Sequence, residues 1–314
     1  MDHPHRPELF FDDLTLIGRG LERPESVHVL PDGRLAVSHR GRGVSFVAPD
    51  ESIQTRGPVD AEFIPNGIAP QPDGSFLIAN IGENGGVWHL TAEGALEPYL
   101  MEVDGIALAA ANFVMTDDRG RTFITVSTVS RPRFAAYSIK VSDGLIVMVD
   151  DSGARLLADD ICFSNECRLT PDGTGLMISE TFSRRVTRFD LGKEGLSNRR
   201  TFVHFGRGDF PDGIRFDNAG HLWVTCIVSN RLWRVSPDGH KTLVLEDCDD
   251  AWVDTVETAL SEGRMGREHF YETGKSRLGN IASIDFSADG RTAYLGSLCG
   301  TFIISLPTTK GPSK

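Results

Sequence analysis

Six turns of one chemical type punctuate this chain, and the residues around them keep a common register. The turns are Asp32-Gly33, Asp73-Gly74, Asp118-Arg119-Gly120, Asp172-Gly173, Asp217-Asn218-Ala219-Gly220 and Asp289-Gly290. Each sits between two short apolar runs, such as Val27–Val29 and Leu35–Val37, or Ile214–Phe216 and Leu222–Val224. Turn residues flanked by β-branched and aromatic runs read as β-hairpins. A second set of hairpins, with tips near Pro49-Asp50, Glu93-Gly94, Asp151-Ser152-Gly153, Gly192-Lys193 and Asp238-Gly239, lies between them. One hairpin of each set makes a four-stranded sheet. The turn glycines step by 41, 46, 53, 47 and 70 residues. Most of these steps fit one propeller blade. The expected fold is therefore all-β, a six-bladed β-propeller forming a single domain over residues 1–314. The last hairpin, ending in Thr301-Phe302-Ile303-Ile304, has no fourth strand after it. The N-terminal run Leu14-Thr15-Leu16-Ile17 is expected to supply that strand and close the ring, removing exposed sheet edges.

The long final step marks an insertion at residues 247–278, between blades five and six. Its Val253–Leu260 stretch has helical spacing. Because the insertion emerges on the face where innermost strands begin, it is expected to act as a lid, or else to be a solvated loop with a short helix.

Eight residues before each turn glycine stand Glu25, Asn66, Asn112, Asn165, Asp212 and Ala282. Five of these six are oxygen donors, and each opens an innermost strand. A turn former has no reason to keep one register across repeats, whereas a ligand facing a central axis does. Glu25, Asn112, Asn165 and Asp212 together offer two carboxylates and two amides, a hard oxygen set suited to a divalent cation. Ca²⁺ is the first expectation, with Zn²⁺, Mg²⁺ or Mn²⁺ as alternatives. Four protein ligands leave coordination positions for water and substrate, which suits catalysis more than a structural role. Asn66 is expected to contact substrate or water.

A second ring follows where the next strands end: His39, Asn80, Ser127, Glu180, Cys226 and Ser297. His39 and Glu180 would assist proton transfer or orient a ligand, unless they are ordinary strand-end polarity. Arg131 and Arg133 would bind a substrate carboxylate or stand as exposed loop cations.

A net charge of −12 excludes the basic footprint that nucleic-acid binding needs, and disfavours an anionic membrane surface. No apolar run is long enough to span a bilayer. The opening Met1-Asp2-His3-Pro4-His5 has neither a basic nor an apolar leader region, so no secretion signal is expected. Five irregularly spaced cysteines (162, 167, 226, 248 and 299) form no zinc pattern and fit reduced thiols in a cytoplasm. There is no GxSxG, HExxH or P-loop sequence. Gly82-Glu83-Asn84-Gly85-Gly86 opens no helix and reads as a turn.

The stretch Gly195-Leu-Ser-Asn-Arg-Arg200, Phe210-Pro-Asp-Gly-Ile-Arg-Phe-Asp217 and Gly220-His-Leu-Trp-Val-Thr225 resembles a signature of one known family. This is the senescence marker protein, gluconolactonase and luciferin-regenerating enzyme family of six-bladed propellers. Arg23-Pro-Glu-Ser26, Ala111-Asn112 and Ser164-Asn165 also match. The resemblance implies that Glu25, Asn165 and Asp212 are metal ligands and that Asn112 contacts substrate or metal. It implies that Asp212 serves as general base, or as nucleophile as in related phosphotriester-cleaving propellers. The expected activity is metal-dependent hydrolysis of a lactone or related cyclic ester on a small-molecule substrate. Phosphotriester hydrolysis, isomerisation or cyclisation at the same ion, and a non-catalytic calcium-binding propeller are the alternatives. Ala110 replaces a family Arg, Phe113 replaces an Asp or Gly, and Glu166 replaces a Gly. These departures favour a substrate less polar than a polyhydroxylated sugar lactone.

Overall fold

The six Asp-Gly turns are built alike. In each, the glycine amide closes on the carbonyl three residues earlier, as in Gly33 N to Leu30 O at 2.9 Å and Gly220 N to Asp217 O at 3.0 Å. In four of them the aspartate before the glycine accepts the backbone amide two residues on, as Asp32 does from Arg34 and Asp289 from Arg291; in the other two Asp117 and Asp217, three residues before the glycine, accept from Arg119 and Ala219. All six glycines hold φ between +69° and +83°, which an L side chain resists. The turn therefore fixes hairpin register at every repeat.

The computed structural model describes residues 6–309; the opening Met1–His5 stretch lies outside the described residues. Six four-stranded antiparallel sheets are present. Their innermost strands are Val27–Val29, Pro65–Pro70, Ala111–Thr116, Ser164–Leu169, Asp209–Phe216 and Ile281–Phe286. The expected six-bladed propeller is the observed fold. Thr15–Ile17 pairs antiparallel with Ile303–Pro307 (Thr15 opposite Ser305, Ile17 opposite Ile303), so the last blade is closed by an N-terminal strand. A two-stranded ribbon, Glu102–Val103 with Ile106–Ala107, sits between blades two and three. Two-residue strands carry too little periodicity to be read from sequence.

Every innermost strand from blade two to blade six opens on a register shift. The breaks fall between Pro65 and Ile68, Ala111 and Phe113, Ser164 and Cys167, Pro211 and Ile214, and Ile281 and Ile284. A bulge bends the strand and re-aims a side chain. Here it falls on Asn66, Asn112, Asn165 and Asp212, the residues at the common offset. In blade one, Glu25 lies just ahead of its strand.

The strands crowd as they converge. A Cβ on Gly213 would lie 2.1 Å from Ala282 O, and one on Gly67 would lie 2.7 Å from the Phe113 Cα. These glycines follow Asp212 and Asn66 because neighbouring backbones leave no room for a side chain. Replacing Gly213 by Ala should cost about 3 kcal/mol or more by overpacking. Gly206→Ala, at a position with open space, should stay within about 0.5 kcal/mol. Urea unfolding of the two variants measures the difference.

Candidate functional site

At the mouth of the ring the innermost strands enclose a cavity of about 20 Å³, enough for an ion or a water but not for a sugar ring. Glu25, Asn66, Asn112, Asn165 and Asp212 all line it. These residues, up to 187 positions apart in sequence, are thus brought together. All five are no more than 3% exposed.

Their hydrogen bonds differ in a telling way. Glu25 Oε2, Asn165 Oδ1 and Asp212 Oδ1 are buried and have no hydrogen-bond partner. Asn165 is aimed by its amide nitrogen, which donates to Thr181 Oγ1 at 3.1 Å. Asn112 donates to Ser127 Oγ at 2.7 Å, while its Oδ1 accepts from Asn66 Nδ2 at 2.5 Å. Asn66 also donates to Glu25 Oε1 (3.0 Å), and its Oδ1 accepts from Arg23 Nη2 (2.6 Å). Asn66 therefore ties Glu25, Asn112 and Arg23 into one frame.

A buried acceptor without a donor costs roughly 1–3 kcal/mol, and more when charged. Three such oxygens in one small space fit a hard cation, and neither Arg23 nor Arg133, which line the same cavity, hydrogen-bonds to them. Among the described residues no group of three or more His, Cys, Asp or Glu side chains gathers as a metal centre. The donor set here mixes two carboxylates with an amide, and lacks the nitrogen and sulfur that favour softer metals.

Electrostatics agree with that reading. Burial pushes the Glu25 carboxyl up to about 7, Arg23 opposing and Glu166 adding to the effect. Burial, then the Glu25 charge, then that of Glu166, raise Asp212 well above the ordinary carboxylate range. Glu166 is itself bonded away from the cavity, to Arg168 Nη2 at 3.0 Å and the Ile214 amide at 3.2 Å. Below it, the axis is filled by the Arg168 guanidinium 4.3 Å over the Phe113 ring and by an Arg215–Asp285 ion pair at 2.9 Å. The departures from the family pattern at Phe113 and Glu166 both belong to this plug.

The second ring does not converge. His39 Nδ1 is 2.7 Å from Ser45 Oγ, and the residue lines a separate recess with Glu22 and Arg42. Burial works against the charge of Glu180, but hydrogen bonds from Arg185 and Thr187 outweigh it and hold its carboxyl below the ordinary value. Neither residue lines the axial cavity. Second strands stand one strand spacing further from the axis, so their ends splay into the blade. Ser127 alone of that ring reaches inward, through Asn112. Arg131 is exposed and donates to Glu83 O at 2.9 Å, whereas Arg133 lines the cavity.

The sequence reading missed the walls. Arg23, Tyr137, Phe163, Phe270 and Tyr271 also line the cavity. Tyr137, Phe163, Phe182, Phe210 and Phe270 form one aromatic cluster with ring centroids 5.0–6.1 Å apart. Phe270 and Tyr271 come from the insertion, on a short helix, α2 (Glu268–Tyr271). Helix α1 (Asp250–Ser261), close to the expected span, is capped by Asp249 and buries Val253, Val256 and Ala259. Those three residues pack into the same cluster. Glu257 tethers α1 to blades four and five through Arg184 and the Gly208 amide, both at 2.7 Å. A much larger cleft, about 1220 Å³, lies among the turns on the opposite face and holds none of these residues.

Over residues 40–246 the chain matches the family described as the SMP-30/Gluconolactonase/LRE-like region. It is 29% identical over 171 residues to a 6-deoxy-6-sulfogluconolactonase of Pseudomonas putida, covering 53% of this chain and 55% of that one. The chain spans about half the length of the curated relatives it matches. In fold it is similar to a gluconolactonase of Xanthomonas campestris (TM-score 0.71, 18% identity, covering 94% of this chain and 89% of that one). It is also similar to a calcium-binding protein, regucalcin, of Agrobacterium tumefaciens (TM-score 0.69, 17% identity, covering 96% and 95%).

Raised carboxyl groups make the site sensitive to protons. A carboxyl whose folded-state pKa is raised favours folding below its unfolded value, and that contribution is lost as pH rises through the folded value. For Glu25 the window runs from 4.5 to about 7. Without added metal, the melting temperature should therefore fall between pH 5 and pH 8 from this source. Adding Ca²⁺ should raise it at pH 8 more than at pH 5, because protons and cation compete for the same oxygens. Thermal melts with and without Ca²⁺ at both pH values check this; an equal Ca²⁺ effect at both would refute it.

Proposed function

Because this chain belongs to the SMP-30/gluconolactonase/LRE-like family, we propose that it is a hydrolase that opens a lactone with the help of a divalent cation. The observation that carries this reading is the set of three partnerless oxygens, from Glu25, Asn165 and Asp212, facing one buried cavity. Those three residues would hold the ion, with Asn112 joining if it releases Asn66. Ca²⁺ suits an all-oxygen donor set with open positions. When bound, the cation would polarise the ester carbonyl and stabilise the charge that develops on its oxygen.

The chain's own residues supply the rest. Glu25 is held by Asn66 and acts as a fixed anionic ligand. Asp212 lines the cavity, and its buried Oδ1 has no hydrogen-bond partner. Kept ionised by the cation's charge, it would take a proton from water as the water oxygen bonds to the carbonyl carbon. The ring carbon–oxygen bond then breaks, and the proton passes to the departing ring oxygen, leaving a hydroxy acid. Direct attack by Asp212 on the carbonyl is the other course for the same group. The aromatic cluster excludes water from the cavity roof. The 247–278 insertion acts as a lid, since a 20 Å³ cavity admits no lactone until Phe270 and Tyr271 move. All five cysteines are free thiols, which fits a cytoplasmic setting.

A closed cavity of this size also fits a calcium-binding protein without turnover. Product analysis separates the two. We expect hydroxy-acid formation from a panel of lactones in the presence of Ca²⁺, Mg²⁺, Mn²⁺ or Zn²⁺. Asp212→Asn should lower kcat by about 10²–10⁴-fold, the usual contribution of a positioned base. Single turnover in H₂¹⁸O bears on the course taken: label appearing in Asp212 means attack, with water then opening the anhydride at the Asp212 carbon, and label only in product excludes that sequence. Metal binding without turnover on any lactone, ester or phosphotriester would leave the calcium-binding reading standing alone.

A further inference from the structure

Two guanidinium groups face the cavity that holds the two carboxylates, and neither is paired with them. Arg23 is 5% exposed; it donates to Pro65 O at 3.1 Å and Asn66 Oδ1 at 2.6 Å, and its buried Nε has no partner. Arg133 makes only long bonds, 3.3 Å to the Tyr137 hydroxyl and 3.3 Å to Ser127 Oγ, and its buried Nε is also without a partner. Its guanidinium lies 4.8 Å over the Phe163 ring. Buried cations normally sit against an anion, and guanidinium forks match a carboxylate with two parallel bonds.

Charge counting says what is missing. With the cation in place to keep both carboxylates ionised, Glu25 and Asp212 would carry two negative charges against the two positive ones of Arg23 and Arg133, so the four side chains balance. A divalent cation on the three free oxygens leaves a surplus of two positive charges beside side chains no more than 3% exposed. A neutral lactone does not offset that surplus. The Tyr271 hydroxyl faces Arg23, whose charge, against the effect of burial, holds the phenol below its usual pKa. Arg23 and Phe163 each sit in the left-handed region, at φ +50° and +56°, so backbone as well as side chain is committed to this wall.

We propose that the substrate is a lactone bearing a carboxylate, which Arg23 and Arg133 clamp in the place that the Tyr271 hydroxyl fills while the lid is shut. The rest of the substrate ring lies against Phe163 and Phe270, which offer no hydrogen bonds to ring hydroxyls. This inference rests on the lactone-opening reading of the same site. It goes beyond that reading by naming the charge the substrate carries and the residues that select it.

Paraconate, a γ-lactone with one ring carboxylate, and methyl paraconate differ in that charge and in one methyl group, and ring opening is followed separately from loss of methanol. The protein should open the acid with at least about tenfold higher kcat/KM than the ester, and Arg133→Gln should cut that ratio by about tenfold. Equal kcat/KM for acid and ester in the unaltered protein overturns the clamp, as does an acid-to-ester ratio that Arg133→Gln leaves unchanged. Cyclopentanecarboxylate, which has no ester to open, gives a second measurement by calorimetry on the Ca²⁺-loaded protein. Arg133→Gln should weaken its binding about tenfold, and Tyr271→Phe, which removes the competing hydroxyl, should tighten it. If no lactone is opened but cyclopentanecarboxylate binds in an Arg133-dependent way, the clamp stands and the hydrolase reading falls. If lactones are opened but this carboxylate does not bind, the clamp falls and the hydrolase reading stands.

Discussion

Negative charge sealed away from water is the constraint around which the centre of this protein is arranged. Glu25 and Asp212 meet where six strands crowd together, and neither forms an ion pair among the described residues. Two carboxylates in such a place cannot both stay ionised unless positive charge is near. Burial accordingly raises both, joined by the charge of Glu166 on Glu25 and by those of Glu25 and Glu166 on Asp212. The surrounding structure limits how this strain can be relieved. Asn66 holds Glu25 in place, Thr181 fixes the Asn165 amide, and Arg23 and Arg133 approach without quenching either acid. What remains is a pocket of free oxygens that can be satisfied by a small cation or by protons.

The convergence of these residues was legible in the sequence for a mechanical reason. The Asp-Gly turn sets the hairpin end, the hairpin has a nearly constant length, and the bulge at its far side turns one side chain to the axis. Counting back from the glycine therefore lands on the same spatial position in every blade. The same logic applied to the second strands placed His39 and Glu180 at the correct end of the molecule, but not at the cavity. Arg23, Phe163 and Tyr271 stand outside the hairpin count and follow no repeat. Only their contacts reveal them, although Arg23-Pro24-Glu25-Ser26 was noticed as a unit. Arg131 and Arg133 were indistinguishable as text; the short helical turn Arg133–Ala136 sends the second inward and leaves the first on the surface.

The axis below the cavity is not a passage. Glu166, Arg168, Phe113, Arg215 and Asp285 fill it with paired charge and a stacked guanidinium. On the lid role proposed above, traffic to and from the oxygens would use the face covered by the insertion. The helix packing that buries Val253, Val256 and Ala259 would then also set how easily Phe270 and Tyr271 lift. Softening α1 would alter entry and exit without touching a single cavity residue.

The pairing of Thr15–Ile17 with Ile303–Pro307 bears on how the protein comes into being. During synthesis the first blades can form as the chain emerges, but Thr15–Ile17 lacks its partner until the ribosome has delivered Ile303–Pro307. The early strand must wait, unmated, through the making of about 285 residues. Contacts so distant along the chain form slowly, and an unmated strand is open to wrong pairings with other nascent chains. Circular permutation that placed both halves of this latch side by side in sequence would shorten the wait, and expression yield would be where the gain appeared.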